Sequence, residues 1–459
     1  MRAMRRYTGR PGLVRARKRL GMSQEAAAEV VGVTPRTWGR WERGDQGVRP
    51  VYRRRLAVMF DVDPAEVERW LEGETLTPAT KLSPMTDFGR GSLVATVRTA
   101  EHLWRCDMDL SRRHVLTALP FVPTALGEWL SGWAYDTPGS PAVHESAAPS
   151  VGFGDVTRIN EARHAFEQMD NQFGAALVRP AVVDYLNTDV GPLLRGQYGG
   201  KVGPSLMTAA AGMTEMAGWT AFDLGHQGLA QYYLGQALKL SQAGDDPMMV
   251  VRALSTLTVQ AIHLEQPRWA VRLARASVDA ATQAHASPRY MALLLGRQAW
   301  AQALQVNLAD TRDGHGATEV EHLLTRVEDA YQAGPSERDP RWAYWYGTAA
   351  LAAETGRVWH LLGEHRRAAS CAETAAREYG QAFPRGIQIS HVNAAEAYLG
   401  MGELERALDL AGASVSMART LTSSRSLERL QRFSKRLDPY AGTVQVREFR
   451  DRMRHELAA

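Results

Sequence analysis

Three arginines carry the clearest chemistry in this chain. In the stretch TPRTWGRWERG, Arg36, Arg40 and Arg43 stand at i, i+4 and i+7, so a helix would place them on one face. Trp38 and Trp41, three apart, would form an apolar face on the same helix. An apolar ridge that anchors a helix and a guanidinium stripe that faces outward are what major-groove reading of DNA requires. Arginine can bond guanine O6 and N7 together or bind phosphate. A solvated arginine face on a structural helix is the plainer alternative.

Other chemistry is sparse. GQYGGKVGPS (196–205) approaches a phosphate-binding loop, but Arg195 stands at its first Gly position and Val202 at its hydroxyl position, and its neighbours read as helices. Thirteen histidines are scattered. His360 and His365 are five apart, share no helix face well, and belong to no metal-ligand phrase. No nucleophile elbow or glycine fingerprint appears. The expectation is therefore binding without catalysis, cofactor or metal. Candidate ligand contacts are Asn171 in MDNQFG, Arg341, Trp342, Tyr344 and Trp345 in RWAYWY, and Asn393. Helix packing is the plainer role for the aromatic residues, and caps or surface amides for the two asparagines.

The elements that must position the arginines are short helices. Gly12 to Leu20 reads as the first, stopped by Gly21. Ser23 caps the second, Glu25 lies in its first turn and Gly32 ends it. Thr34 caps the third, with Pro35 in the first helical position. Pro50 opens a fourth through Phe60. A fifth starts at DPAE, where Asp63 and Glu66 have capping-box spacing around Pro64. The tight Val31–Gly32–Val33 corner makes segments two and three a helix-turn-helix. Charge agrees with this reading. Residues 1–60 carry fifteen Lys and Arg against four acids, although the whole chain has a net charge of only +4. A basic head on a mildly acidic body points to a polyanion that meets the head alone.

LGMSQEAAAEVVGVTPRTWGRWERG resembles the helix-turn-helix of the XRE (lambda-repressor-like, Cro/C1-type) regulators, through its Ser-Gln opening, its turn and its Trp-Glu-Arg-Gly ending. The resemblance implies that Gln24 touches backbone phosphate and that early helix-three positions face bases. Pro35 has no side-chain donor, so base reading falls on Arg36 and Arg40, while Thr34, Thr37 and Arg43 suit phosphate. The resemblance also implies a structural ion pair between Arg17 and Glu42. Gly39 departs from the pattern; inside a helix it costs roughly 1 kcal/mol of propensity.

Beyond the head, residues 74–100 and DTPGSPAVHESAAPS (136–150) read as linker. Between them, SRRHVLTALPFVPTALGEWLSGW echoes a twin-arginine export signal, but it lies more than a hundred residues into the chain and contains two prolines. It reads instead as an amphipathic segment that docks on the body or on a second protomer. The N-terminus lacks the apolar core of a secretory signal, and the two cysteines, Cys106 and Cys371, suit neither a disulfide framework nor a metal site. The cytoplasm, at the nucleoid, is the expected location.

From residue 155 the pattern is helical. One phrase recurs at helix corners: LGHQGLA (224–230), LEQPRWA (264–270), LGEHRRA (362–368) and MGELERA (401–407). The first pair and the last pair are each about forty residues apart, the mark of an α-solenoid. Residues 271–361 are irregular, and DTRDGHGATE (310–319) reads as a loop. The phrases resemble tetratricopeptide repeats, with Ala230, Leu234 and Ala237 in the helix-B rhythm and Ala407 and Ala411 following it loosely. The spacing exceeds the usual repeat length. Head and body together resemble actinomycete regulators of development and antibiotic production, through phrases such as RINEARHAFEQMDNQFG and WYGTAALAAETGRVWHLLGE. That likeness implies transcriptional control, often repression.

The expected architecture is all-α, with a five-helix lambda-repressor-like DNA-binding domain over 1–73, a linker with an amphipathic segment over 74–154, and a tetratricopeptide-like α-solenoid for sensing and dimerisation over 155–459. The expected partners are double-stranded DNA, a second copy of the chain, because one small head reads only one half-site, and a peptide, small-molecule or protein effector on the solenoid. A protein-interaction adaptor with a vestigial head is the alternative, against which the intact Arg36/Arg40 stripe argues. An enzyme with a regulatory head is a third reading, for which no chemical constellation speaks.

Overall fold

The computed structural model describes residues 10–43, 45, 46, 48–60, 62, 67, 70, 71, 93–127, 130, 150–309 and 314–457. Those residues are helical and include no strand; one isolated bridge joins Ser150 to Gln197. No helix among them is long and apolar enough to cross a membrane. The chain divides into two compact units, Met1–Ser83 and Pro84–Ala459.

In the first unit, α1 (Pro11–Arg19), α2 (Gln24–Val31), α3 (Pro35–Arg43) and α4 (Pro50–Phe60) follow the local rules of their sequences. Ser23 Oγ accepts from the Ala26 amide at 3.2 Å, and Gly32 closes α2 with φ of 77°. Thr34 Oγ1 accepts from the Thr37 amide at 3.2 Å. Leu13, Ala27, Val31, Trp38, Trp41, Leu56 and Val67 form the core. The DPAE start expected for a fifth helix lies outside the described residues.

In the second unit, α5 (Leu93–Met108) and α6 (Leu110–Thr117) precede a long helical array. The stretch 93–100, read as linker from its composition, is helix. Leu93, Val97 and Ala100 are buried at helical spacing, and that packing outweighs the β-branched residues between them. The array begins with α7 (Phe153–Phe173), α8 (Ala175–Tyr185), a π-helical turn at Leu186–Val190 and α9 (Gly191–Leu194). It continues with α10 (Val202–Asp223), α11 (Gln227–Ala243), α12 (Pro247–His263), α13 (Pro267–Gln283), α14 (Pro288–Leu308) and α15 (Gly314–Gln332). It ends with α16 (Thr348–Leu361), α17 (His365–Glu378), α18 (Pro384–Gly400), α19 (Leu404–Ala418), α20 (Ser424–Arg436) and α21 (Val444–Leu457). The expected loop at 310–319 is helix from Gly314 on. Val320, Leu323, Leu324 and Val327 give that helix a buried face of helical period.

The recurring phrase marks a repeated corner. Gly225, Asp245, Glu265 and His285 all adopt left-handed backbone, twenty residues apart, and the same conformation returns at Gly363 and Gly402. At each of these corners the next amide reaches back to the helix, as in His226 N to Ala221 O and Gln266 N to Ala261 O, both 2.9 Å. This is the Schellman closure, which satisfies carbonyls that a helix end would leave bare. Helices α11, α12 and α13 are each 17 residues long, so helix plus corner gives a twenty-residue module and a forty-residue pair. Glycine fills the left-handed position in only some corners. A phrase-based reading therefore sees the forty-residue period and misses the corners at Asp245 and His285.

Successive helices pack in pairs, and the first members, α10, α12, α14, α16, α18 and α20, pack on one another in order along one face. The array curls until its ends meet, with α7 packing on both α10 and α18. A clasp fastens this closure. The Thr422 amide and hydroxyl both donate to Phe173 O, at 3.1 and 2.8 Å, and the Ala176 amide donates to Thr422 O at 3.2 Å. Gly174, at φ of 89°, lets Thr422 come this close; a Cβ there would lie 3.0 Å from the Thr422 backbone.

Residues 101–127 dock on the array. Asp107 is buried, accepts from Tyr233 Oη at 2.7 Å and pairs with Arg179. Gln231 grips Val122 from both sides, accepting from its amide and donating to its carbonyl, each at 2.8 Å. Gly228 makes room for the Leu119 carbonyl, which a Cβ would approach to 2.2 Å.

Candidate nucleic-acid interface and solenoid cavity

Helix α3 separates its two faces completely. Trp38 and Trp41 are buried with rings 6.0 Å apart, and Trp41 also meets Tyr52 at 5.4 Å. Arg36 and Arg40 are exposed on the other side, with no partner among the described residues. Arg43 is exposed too and pairs with Asp45 at 2.9 Å. That leaves two guanidinium groups uncommitted and a third held by an exposed, exchangeable pair.

Glu42 fixes the orientation of the helix. It takes Arg17 Nε at 2.6 Å and Nη2 at 3.3 Å, Trp38 Nε1 at 2.8 Å, and the Gln24 side-chain amide. Burial would raise this carboxyl. The bonds from Arg17, Trp38 and Gln24 and the Arg17 charge outweigh burial and hold the carboxyl below the usual carboxylate range. The Arg17–Glu42 pair is thus present as expected. Gln24 lies where α2 begins, but its amide points inward to Glu42, so a phosphate contact by Gln24 would compete with that bond. Thr34 and Thr37 hydroxyls lie 2.9 Å apart at the exposed start of α3. Gly39 is buried, and a Cβ there would meet Arg43 Nη1 at 3.2 Å and Gln24 Oε1 at 3.6 Å. Its missing side chain makes room for those two residues. Arg10 was not expected as a structural residue. Its side chain donates to the carbonyls of Leu71, Trp41 and Gln46 at 2.8 to 3.0 Å and so ties the edges of the unit together.

In the second unit, the helices of the inner face enclose a cavity of about 220 Å³. Of the expected contact residues, Asn171, Trp342, Tyr344 and Trp345 line it. The segment Arg341–Ala343 forms a short 3-10 turn that carries Trp342 inward, and Asn171 donates to the Tyr344 hydroxyl at 3.0 Å. Arg341 does not join them; it is exposed and pairs with Glu161 on α7. Asn393 lines a neighbouring cleft of about 830 Å³ and accepts from Arg429 Nη1 at 3.0 Å.

Charge was the feature sequence reasoning missed. Arg252 bridges Glu167 and Glu215 at 2.6 and 2.8 Å. Arg385 bridges Asp170 and Asp223 at 2.8 and 3.2 Å, and Arg425 takes the other oxygen of Asp223 at 2.7 Å. Arg163 and Arg252 both lie over the Trp342 ring, at 5.4 and 5.5 Å, and Arg425 lies over Trp219 and Phe222 at 4.5 and 4.6 Å. Burial, opposed by the neighbouring acids, together with Arg252 pulls Arg163 down to about 10. A usable sequence signal existed. Helix α10, VGPSLMTAAAGMTEMAGWTAFD, carries charge only on Glu215 and Asp223, and both are buried. A lone carboxylate in such a helix must find a buried cation.

Among the described residues no group of three or more histidines, cysteines or acids could hold a metal ion. Both cysteines are free, and burial raises the Cys371 thiol. A family model described as a helix-turn-helix domain matches residues 13–70. No curated protein matches the chain. The N-terminal unit is therefore a helix-turn-helix domain of the DNA-binding kind, and its match ends before the helical array begins.

Proposed function

We propose that the chain is a sequence-specific transcriptional regulator of the XRE type, whose solenoid binds an effector and joins two protomers. The observation that carries this reading is the division of α3, in which Arg36 and Arg40 face solvent without partners among the described residues while Trp38, Trp41 and Glu42 lock the opposite side. In this reading Arg36 and Arg40 read base edges, and Arg43, Thr34 and Thr37 hold phosphate. The array is a tetratricopeptide-like sensor, and the regulator is a repressor of development or secondary metabolism of the actinomycete kind. Catalysis has no part in this account.

A single head covers one half-site, so binding at cellular salt calls for a homodimer. Residues 101–127 are engaged with their own array, which leaves the outer helices of the body as the dimer surface in this reading. The test is to sequence genomic fragments retained by the purified full chain at physiological salt, beside an Arg36→Ala/Arg40→Ala variant. Paired half-sites enriched by the wild type and lost in the variant are the expected result. Retention without sequence preference, or unchanged in the variant, would turn the reading towards a protein-interaction adaptor.

A further inference from the structure

The cavity and the neighbouring cleft meet at Arg357, Arg425 and Arg429, which line both. The cavity side of this junction is aromatic, with Trp219, Trp300, Trp342, Tyr344, Trp345 and Phe383 on its walls. Its arginines there are matched by acids, as Arg252, Arg385 and Arg425 show. The cleft side is different. Arg357 stacks on Trp300 at 4.9 Å, and its Nε is buried with no hydrogen-bond partner. Arg429 donates to the neutral amide of Asn393, and Arg436 reaches the ring of His360 at 3.2 Å. Arg432 lines the same cleft, near Glu396 and Glu428 but without a hydrogen bond to either. Glu396 faces Arg429, Arg432 and Arg436, and no hydrogen bond joins it to any of them. The nearby acids are committed elsewhere or hold off: Glu354, beside Arg357, pairs with Arg297, Glu428, near Arg432, pairs with His263, and among the described residues none of the four arginines forms an ion pair with an acid.

The local field agrees with that imbalance. Burial, Arg357, Arg425 and Arg432, opposed by Glu396, pull Arg429 down to about 9. Burial, Arg436, His365 and Arg429 pull His360 down to about 4. Crowded, partly desolvated guanidinium groups with neutral partners are costly to maintain. Arg425, matched by Asp223, lies one turn before Arg429 on α20, so the fold supplies a counter-ion where it needs one. The missing counter-ion at the junction is then the ligand's.

We propose that the solenoid binds a small amphipathic organic anion, with its carboxylate held by Arg357 and Arg429 and its flat apolar body seated among the tryptophans of the cavity. The cavity alone, about 220 Å³, is smaller than the ~300–1,000 Å³ usual for a drug-sized ligand, so the body fills it and the polar end projects into the cleft. Arginine suits this task because its planar fork takes both carboxylate oxygens. This ligand class rests on the reading of the solenoid as the effector-binding part of a regulator.

The experiment is calorimetric titration of the full chain, without DNA, with 2-naphthaleneacetate, its uncharged amide and inorganic phosphate. The carboxylate is expected to bind at least tenfold more tightly than either the amide or phosphate. Arg429→Gln is expected to erase the preference for carboxylate over amide, and Arg357→Gln to reduce it. Equal binding of acid and amide, phosphate binding as tight as the carboxylate, an unchanged ratio in Arg429→Gln, or no heat from any of the three would overturn the proposal. Should Arg429→Gln not fold, Glu396→Gln serves instead. Removing the competing acid should tighten carboxylate binding severalfold, and unchanged affinity would count against the site. The two readings fail separately, since fragment retention by the Arg36/Arg40 variant tests the head with no anion present.

Discussion

Arginine does opposite work in the two units. On α3 its side chains project from a helix locked on its other face, and two of them have no partner among the described residues. Around the solenoid cavity the same side chain is turned inward, bridging carboxylates and stacking on indole rings. The difference lies in what surrounds each charge. An outward arginine opposite two tryptophans keeps its hydration and is free for a polyanion. An inward one has lost water and must recover that energy from an acid within about 3 Å. The junction at Arg357 and Arg429 stands between these cases, turned inward yet forming no ion pair with an acid among the described residues.

The sharpest way to break the comparison is to remove an inward partner. Asp223, fully buried, is shared by Arg385, Arg425 and Ser423 Oγ. Asp223→Ala should cost ~3–5 kcal/mol by stranding two cations, visible as a lowered midpoint in urea. A cost below 1 kcal/mol would mean that these pairs carry no structural weight. The hub of the head comes next. Glu42→Gln removes the charge facing Arg17 and should cost about 1.5–3 kcal/mol in the helix-turn-helix unit. Its pH dependence has a definite sign. The folded carboxyl lies below its ordinary value, so its stabilisation is complete above about pH 4.3 and is lost as pH falls through the folded value. Acid titration of wild type and Glu42→Gln should therefore converge at low pH.

Outward substitutions should behave in the reverse way. Arg36→Ala and Arg40→Ala should each cost ~1–3 kcal/mol of base discrimination and change thermal stability by no more than ~0.5 kcal/mol. Loss of stability in either would place these residues with the inward class. The smallest effect belongs to Gly39→Ala. Helix propensity favours the alanine by up to about 1 kcal/mol, and the atom it meets is the movable end of Arg43. A modest gain in stability is expected, with weaker DNA retention if Arg43 is displaced from phosphate. Differential scanning calorimetry and fragment retention on one preparation measure both.

What the sequence disclosed followed the same inward and outward line. Ser23, Gly32, Thr34 and the tryptophan spacing are local signals, so the helix-turn-helix was legible residue by residue. The forty-residue period was legible where the corner phrase recurred, at Gly225, Glu265, Gly363 and Gly402. It was hidden where Asp245 and His285 took the same backbone conformation. The helix at Leu93 and the helix from Gly314 looked like linker and loop because polar and Gly-containing surroundings obscured an apolar period that only tertiary burial makes plain. The aromatic segment RWAYWY was a good guide to the cavity, although Arg341 within it faces away. The charges of the cavity come from helices scattered between α7 and α20, and only the curl of the array brings them together. No window of sequence contains that fact.

The clasp between Gly174 and Thr422 has a consequence for how such a protein can change over generations. An open array of helical repeats lengthens or shortens by duplicating or deleting a unit, since each unit touches only its neighbours. Here the first helix of the array must also meet α18 and Thr422, so one more forty-residue pair would carry the two ends past each other. The number of units is thereby fixed by closure. Descendants of this chain can vary corners, surface charges and the side chains of the cavity, but the tally of repeats is inherited whole.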